Sequence, residues 1–371
     1  MNTPEIFQVE RLDPKAKRAP AWVLSAARVM PANPPRFGVQ ILHGFSEKKE
    51  RWFPFMQFIA ACGGAAVIHD LRGHGATAPA QTGAKSADPL ADFGYAYETL
   101  FDDIDAVWQA GIPDIPNEAP LPRFLFGHSM GSLIAGLYTA AHPSEVAGMI
   151  LTGLPHRERF VSPALAWFAL ESVFTGDGAC LPLLNRTAFN RYNKGFEPEP
   201  ASDGRFLWTA NDLAVRYEFA ADPVCNRPHP LRDYRNLLRL VRDFWRPSSW
   251  EKPGPIPVLV MAGEDDPVAG GAKRTGDAVK FLADIGFAPS SKVYPGGRHE
   301  IFMDTDREAA FTDAMRFVLT RTPKRPAPPV QPEPEDSQVH EEPHENEEPQ
   351  VTEEPQVSEE PQVSEEPEGS A

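Results

Sequence analysis

The stretch from Arg123 to Ala141, RFLFGHSMGSLIAGLYTAA, decides the fold class of this chain. A short apolar run leads into Gly127-His128-Ser129-Met130-Gly131, and a run of small and apolar residues that favours a helix follows. A G-x-S-x-G pentapeptide between a strand and a helix is typical of a sharp turn that presents a serine hydroxyl above a sheet edge. It predicts an α/β fold with Ser129 as a nucleophile; the alternative is an ordinary glycine-rich strand-to-helix turn.

Apolar runs alternate with helical patterns on both sides of this stretch. The predicted strands are short, apolar and bounded by Gly or Pro: Phe37–Leu42, Ala65–His69, Arg123–Phe126, Ala147–Leu151, Pro257–Ala262 and Ser291–Tyr294. The predicted helices lie between or after them: Arg51–Ala61, Tyr97–Ala110, Ser132–Ala141, Ala272–Ile285 and Arg307–Leu319. This alternation predicts a mostly parallel central sheet with helices on both faces.

A long segment interrupts the alternation after the strand that ends near Leu151. It is rich in aromatic residues and in helical patterns such as LRDYRNLLRLVRDFW, and an unstructured loop of that length would be unusual. We therefore expect an inserted helical cap at residues 155–252. The α/β core would then consist of residues 1–154 and 253–322.

The formal net charge of −16 comes almost entirely from the C-terminal segment. Residues 326–371 contain fifteen acidic residues and no Lys or Arg, with a repeated EEPQV(S/T) unit. Such a segment has little apolar surface to offset its ordering entropy, so residues 323–371 are predicted to form a disordered acidic tail. The tail is either a spacer or an interaction segment whose partner is unknown.

The remainder of the chain is nearly neutral, which argues against a nucleic-acid-binding surface. Three cysteines with no CxxC pair argue against a disulfide framework or a structural zinc site. Neither a signal peptide nor a run of apolar residues long enough to span a membrane is present. We expect a cytoplasmic protein, with transient contact between the cap and a membrane surface left open.

A serine hydroxyl needs a histidine base that a carboxylate orients. Two late strands end in loops that carry these residue types, in the order Ser, acid, His that this turn predicts. The first loop contains Asp265 and Asp266, and the second contains His299. The other histidines precede Ser129 or fall in a helix end, in the predicted cap (including His229) or in the tail, so His299 is the predicted base.

Two backbone N–H groups must hold the negative oxygen of the reaction intermediate. The N–H of Met130, directly after the nucleophile, is one predicted donor. The other is the N–H of Phe45, because the first central strand ends in His43-Gly44-Phe45. A plain strand-ending turn is the alternative for His43-Gly44.

These residues resemble the α/β-hydrolase superfamily, and within it the group of lysophospholipases, monoacylglycerol lipases and serine aminopeptidases. The matching pieces occur in the family's order over about residues 35–320: His43-Gly44-Phe45, Asp70 to Gly75, Gly127 to Gly131, Gly263 to Val268 and Gly297 to Glu300. The resemblance implies a carboxylic-ester hydrolase that acts on glycerolipid-like substrates, with a cap that forms an acyl-binding cleft. It implies no metal and no organic cofactor.

In similar sequences the acid directly precedes Pro-Val or Pro-Ile, which favours Asp266 over Asp265. A residue before proline is also pushed towards an extended conformation, which suits a side chain that projects from a loop.

The sequence thus predicts a serine esterase with a Ser129–His299–Asp266 triad, most like a lysophospholipase or monoacylglycerol lipase. Two alternatives stay open. An aminopeptidase for small N-terminal residues would need a carboxylate for the substrate ammonium group, such as Glu171 or Glu218 in the cap. A hydrolase scaffold without catalytic activity would act through its acidic tail.

Overall fold

The computed structural model describes residues 2–11, 22–79, 97–113, 119–198, 204–225, 227–250 and 252–323. In these ranges the strands form one nine-stranded sheet of order β1-β2-β4-β3-β6-β7-β8-β9, with β5 paired to β2. The strands are β1 (Glu5–Arg11), β2 (Trp22–Val29), β3 (Gly38–Leu42), β4 (Ala65–His69), β5 (Ala78–Pro79), β6 (Arg123–His128), β7 (Gly148–Thr152), β8 (Pro257–Gly263) and β9 (Ala288–Tyr294). The pairings β4–β3, β3–β6, β6–β7, β7–β8 and β8–β9 are parallel. Strand β2 pairs antiparallel with β1, β4 and β5.

The central strands are buried on both faces, which explains their almost uninterrupted apolar sequences. Successive side chains of a strand point to opposite faces. In β6, Leu125 packs in the core beneath α3 (Met130–Ala141) and α8 (Gly271–Asp284). Its neighbours Phe124 and Phe126 pack on the other face with α1 (Phe53–Ala61) and α9 (Arg307–Leu319).

Five predicted helices and six predicted strands each overlap an element of the structure, and the predicted mostly parallel sheet with helices on both faces is confirmed. The predicted helix Tyr97–Ala110 corresponds to α2 (Tyr97–Gly111). The sequence analysis missed β1 and β2, which pair antiparallel and extend the sheet. The pattern EIFQVER of β1 is charged at both ends and has only three apolar residues, so it did not meet the criterion of an apolar run.

Four helices lie in the described part of the chain between β7 and β8. They are α4 (Val161–Thr175), α5 (Pro182–Thr187), α6 (Leu213–Ala221) and α7 (Leu231–Phe244). Among the helices of the described ranges, none has both the length and the apolar composition that crossing a bilayer requires. The predicted acidic tail lies outside the described residues from residue 324 onward.

Candidate active site

The turn between β6 and α3 holds Ser129 in a conformation that few non-glycine residues adopt, with φ 52° and ψ −116°. Its N–H donates to the carbonyl of Thr152 over 2.9 Å. A Cβ atom on Gly127 would lie 2.4 Å from the carbonyl oxygen of Gly131, and one on Gly131 would lie 2.0 Å from that of Leu42. Both flanking glycines are therefore required by the close approach of the backbone to itself.

His299 and Asp266 meet at the carboxyl ends of neighbouring strands, β9 and β8. The His299 Nδ1 atom lies 2.9 Å from Oδ2 and 3.1 Å from Oδ1 of Asp266. Because the carboxylate can only accept, Nδ1 carries the proton and Nε2 of the neutral ring is left as an acceptor. Oδ1 of Asp266 also accepts from the N–H groups of Val268 and Ala269, over 2.8 and 3.1 Å.

The burial of this pair changes both pKa values. Burial alone would raise the pKa of Asp266, but the attraction and hydrogen bond of His299 lower it below its usual value. Burial alone would lower the pKa of His299, but the charge of Asp266 raises it. Asp265, in contrast, is exposed, and its N–H donates to the carbonyl of Gly297. The structure therefore brings Asp266, not Asp265, to the histidine.

Ser129 and His299 line one cavity of about 330 Å³, the main cavity. The His299 ring packs between His128 and Trp208, with ring centroids 4.8 and 5.0 Å away. A Cβ on Gly153 would lie 2.8 Å from the same ring, so this glycine lets β7 end directly against it. Ser129, Asp266 and His299 thus lie together at the carboxyl edge of the sheet, with the imidazole held by the rings around it.

The loop after β3, residues 43–47 (the β3 loop), lies against the serine. A Cβ on Gly44 would be 3.2 Å from Cβ of Ser129, and Phe45 lines the main cavity. Among the hydrogen bonds of the described residues, neither the Phe45 N–H nor the Met130 N–H has a protein acceptor. Met130 begins α3, where the first N–H groups have no partner within the helix.

Hydrogen bonds hold the start of the β3 loop in place. The Nε2 atom of His43 accepts from the N–H of Leu71 over 3.0 Å, so its Nδ1–H donates to the carbonyl of Gly44 over 2.8 Å. The N–H of Gly44 in turn donates to Oε2 of Glu47 over 2.8 Å. His43 therefore has a structural task in shaping this loop.

A buried ion cluster that the sequence analysis missed lies beside these residues. The guanidinium of Arg51 donates to Glu47 over 2.8 Å and to both oxygens of Glu300, over 2.9 and 2.6 Å. Glu47, His128 and Glu300 approach closely enough to hold a metal ion, but the Arg51 guanidinium already binds both carboxylates. Burial lowers the pKa of His128 to about 3, so its ring is neutral.

Aromatic and aliphatic side chains from the segment between β7 and β8 form much of the cavity wall. Six of them are Phe168, Leu184, Phe189, Trp208, Phe219 and Tyr234. Glu171 and Glu218, the candidate sites for a substrate ammonium group, do not line the main cavity. The carboxylate of Glu158, which does line it, is paired with Arg191 over 2.8 Å.

Comparison with known proteins places this arrangement among hydrolases. The family model described as serine aminopeptidase, S33, matches residues 33–306. A monoacylglycerol lipase of Mycolicibacterium smegmatis is 28% identical over 298 residues, which cover 78% of this chain and 90% of that protein. A phospholipase of Bacillus subtilis is 26% identical over 288 residues, which cover 75% of this chain and 93% of that protein.

The solved structures give the same fold. The crystal structure of a thermostable carboxyl esterase from Bacillus coagulans superposes with a TM-score of 0.71 at 25% identity. The superposition covers 87% of this chain and all of that chain.

Proposed function

Because the chain belongs to the serine aminopeptidase S33 family of α/β-hydrolases, we propose that it is a serine carboxylic-ester hydrolase for monoacylglycerols or lysophospholipids. Its relatives are lipases, phospholipases and esterases, and the chain is a hydrolase of this lipase and esterase type. The observation that carries the finer proposal is the Asp266–His299 pair, which lies with Ser129 on a cavity walled by apolar side chains.

In the first half of the proposed reaction, the Ser129 hydroxyl attacks the ester carbonyl carbon. Nε2 of His299 takes the hydroxyl proton, and the buried carboxylate of Asp266 stabilises the imidazolium that forms. The carbonyl oxygen becomes negative and accepts from the N–H groups of Phe45 and Met130. When the carbon–oxygen bond breaks, His299 returns the proton to the leaving alcohol, and an acyl ester on Ser129 remains.

In the second half, water replaces the alcohol. His299 takes a proton from the water as it attacks the acyl carbon, and the same two N–H groups hold the negative oxygen. Collapse of the intermediate releases the fatty acid, and Ser129 takes back its proton from His299. No other group needs to change its protonation state during the cycle.

We propose that residues 155–252 act as a cap over this chemistry. The described part of this segment contributes Phe168, Phe189 and Trp208 to the cavity wall, where apolar surface suits an acyl chain. The outer surface of α4 and α5 carries several large apolar side chains that are largely exposed: Phe160, Trp167, Leu170, Val173, Phe174 and Leu183. Such a patch suits transient contact with a lipid surface, from which these substrates come.

The activity is tested with a substrate panel. We expect hydrolysis of long-chain monoacylglycerols or lysophospholipids, little hydrolysis of aminoacyl amides, and labelling by a fluorophosphonate. Ser129→Ala should lose on the order of 10⁶ in kcat and all labelling, with an unchanged melting temperature. A Ser129→Ala enzyme that keeps a tenth of the activity would remove Ser129 from the mechanism. Preference for aminoacyl amides would select the aminopeptidase alternative, and a wild-type chain that neither labels nor turns over would be a scaffold.

The membrane contact is tested by co-sedimentation with phosphatidylcholine vesicles. The double variant Val173→Asp/Phe174→Asp should bind at least tenfold more weakly than the wild type, with kcat on a water-soluble short ester unchanged. Ile6→Asp, an exposed apolar residue on β1, is the matched control. Equal binding of all three proteins would exclude this patch as the contact surface.

A further inference from the structure

A second serine, histidine and aspartate meet in the wall of the main cavity. The Oγ atom of Ser46 lies 2.5 Å from Nε2 of His229, whose Nδ1 lies 3.1 Å from Oδ2 of Asp233. Ser46 and His229 both line the cavity, and Asp233 is completely buried. Because the carboxylate can only accept, Nδ1 of a neutral His229 carries the proton and Nε2 accepts from the Ser46 hydroxyl.

The backbone of Ser46 is held in the left-handed region, with φ 61°. Among the described non-glycine residues, only Ser46 and Ser129 have a positive φ. This conformation costs free energy in a serine and persists where surrounding contacts enforce it. Ser46 directly follows Phe45, so the backbone strain lies next to the proposed oxyanion donor.

His229 also contacts Phe45 itself. The two rings are nearly stacked, with centroids 4.1 Å apart and planes inclined by 32°. His229 is therefore in contact with two consecutive residues of the β3 loop, through its ring face at Phe45 and through Nε2 at Ser46.

Side chains of the segment between β7 and β8 fix His229 in turn. Its N–H donates to Oδ1 of Asn185 over 2.6 Å, and its carbonyl accepts from Nδ2 of Asn185 over 2.9 Å. The hydroxyl of Tyr234 donates to the same Oδ1 over 2.9 Å. Asn185 lies on α5 and Tyr234 on α7. Two helices of the predicted cap therefore fix the position of His229, which in turn contacts the β3 loop.

We propose that His229 and Asp233 are positioning residues that keep the Phe45 N–H directed at the developing oxyanion. They act through the Ser46 hydroxyl and the Phe45 ring, and this role rests on the proposed function of Ser129 and Phe45. The oxyanion charge is present only in the transition state and the tetrahedral intermediate, so a displaced donor lowers kcat and leaves KM almost unchanged.

The surroundings of Ser46 distinguish it from Ser129. Ser129 has glycines two residues away on both sides and the N-terminus of a twelve-residue helix directly after it. Ser46 is followed by Glu47, whose carboxylate accepts from the loop itself, and then by a short 3-10 turn at Lys49–Trp52. The geometry therefore assigns the Ser46 hydroxyl to holding the loop rather than to attacking a carbonyl.

Two single variants and the double variant that combines them test this role on a water-soluble ester and by the rate of fluorophosphonate inactivation. His229→Phe keeps a ring against Phe45 and removes the acceptor of Ser46; Ser46→Ala removes the donor. Each should lower kcat and the inactivation rate by about 10- to 100-fold, since complete loss of an oxyanion donor costs about 10²–10³. KM should change less than threefold, and the double variant should be no worse than either single one.

Two further substitutions separate positioning from nucleophilic activity. Ser46→Gly should stay within about tenfold of the wild type, because glycine adopts a positive φ without the hydroxyl to hold it. Asp233→Asn should also stay within about tenfold, because the asparagine oxygen can keep accepting from Nδ1–H of His229, or its NH₂ group can donate to Nδ1 so that Nε2–H donates to Ser46 Oγ. The Ser46–His229 hydrogen bond survives in either orientation, whereas a relay that activates a nucleophile would need the charge of the carboxylate and lose far more activity.

The matched control is His142→Phe, a histidine at the end of α3 outside the main cavity, which should behave like the wild type. A His229→Phe or Ser46→Ala enzyme with unchanged kcat, in a chain that Ser129→Ala inactivates, would overturn the positioning role alone. Residual turnover in Ser129→Ala would instead overturn the proposed function. A fluorophosphonate adduct mapped to Ser46 in Ser129→Ala would also overturn the positioning role, because Ser46 would then be a nucleophile.

Discussion

Replacing Asp266 by asparagine exchanges one carboxylate oxygen for an NH₂ group, and the hydrogen bonds of Asp266 determine which of its two oxygens is exchanged. Oδ1 of Asp266 accepts from the N–H groups of Val268 and Ala269, over 2.8 and 3.1 Å. An amide NH₂ group cannot accept, so the asparagine oxygen must keep that place. The NH₂ group then occupies the Oδ2 position, 2.9 Å from Nδ1 of His299.

The consequence is that the His299 imidazole changes to the other tautomer. Nδ1 of His299 must accept from the NH₂ group, so the proton moves to Nε2, the nitrogen that has to accept from Ser129. The enzyme keeps its fold and its cavity but loses its base, which in triad enzymes costs about 10⁴ in kcat. That factor corresponds to roughly 5 kcal/mol of transition-state stabilisation, at about 1.36 kcal/mol for each tenfold change.

The assay compares kcat of Asp266→Asn and Asp265→Asn on one water-soluble ester. Asp265→Asn should lose less than tenfold, because its side chain is exposed and only its backbone N–H bonds to Gly297. Melting temperatures of both variants serve as the control for folding. The opposite ranking would make Asp265 the triad acid, and two variants with near-normal kcat would refute a carboxylate-oriented histidine altogether.

Two more predictions concern pH and stability. His299 must be neutral to act as the base, and Asp266 raises its pKa above the usual value of 6.5. We therefore expect kcat/KM to rise with pH to a plateau, with a midpoint above 6.5. A pH–rate profile with a midpoint well below 6.5 would contradict this. Arg51→Met leaves Glu300 and its neighbouring carboxylate buried without a cation and should lower the free energy of unfolding in urea by about 3–5 kcal/mol. Arg28→Met, which removes a more exposed ion pair, should lower the free energy of unfolding by less than about 1 kcal/mol. Equal losses of unfolding free energy in the two variants would contradict the expectation that the buried ion pairs stabilise the fold more than the exposed one.

The features that could be predicted from the sequence are formed by residues that lie close together in the chain. The strand, turn and helix around Ser129 lie within nineteen consecutive residues, and each part has its own signal in spacing, glycine placement or apolar composition. Asp266 and His299 were predicted in the same way, because each lies in a loop shortly after a predicted strand. Their alignment at one sheet edge follows from the parallel order of β8 and β9.

The contacts that the sequence analysis missed join residues far apart in the chain. Arg51 and Glu300 are 249 positions apart, and Ser46 and His229 are 183 apart. Charged and polar residues at such positions have no pattern that distinguishes a buried partner from a solvated side chain. His229 was assigned to the predicted cap only by its place in the chain, and the stack on Phe45 that gives it a role depends on how the helices between β7 and β8 fold back over the sheet.

Under the proposed roles, the two histidine–aspartate pairs at the cavity differ in their surroundings more than in their own atoms. In both, Nδ1 of a buried histidine faces a buried carboxylate, and Nε2 of His229 faces a serine just as the mechanism requires of His299. The serines differ in what accompanies them. Ser129 is accompanied by the proposed oxyanion donors, the N–H groups of Phe45 and Met130, which have no acceptor among the described residues, whereas Ser46 lies in the loop that supplies one of them. Asparagine in place of the aspartate should therefore cost about 10⁴ in kcat at position 266 and less than about tenfold at position 233. The same one-atom change would thus distinguish the pair proposed to transfer a proton from the pair proposed only to hold a loop.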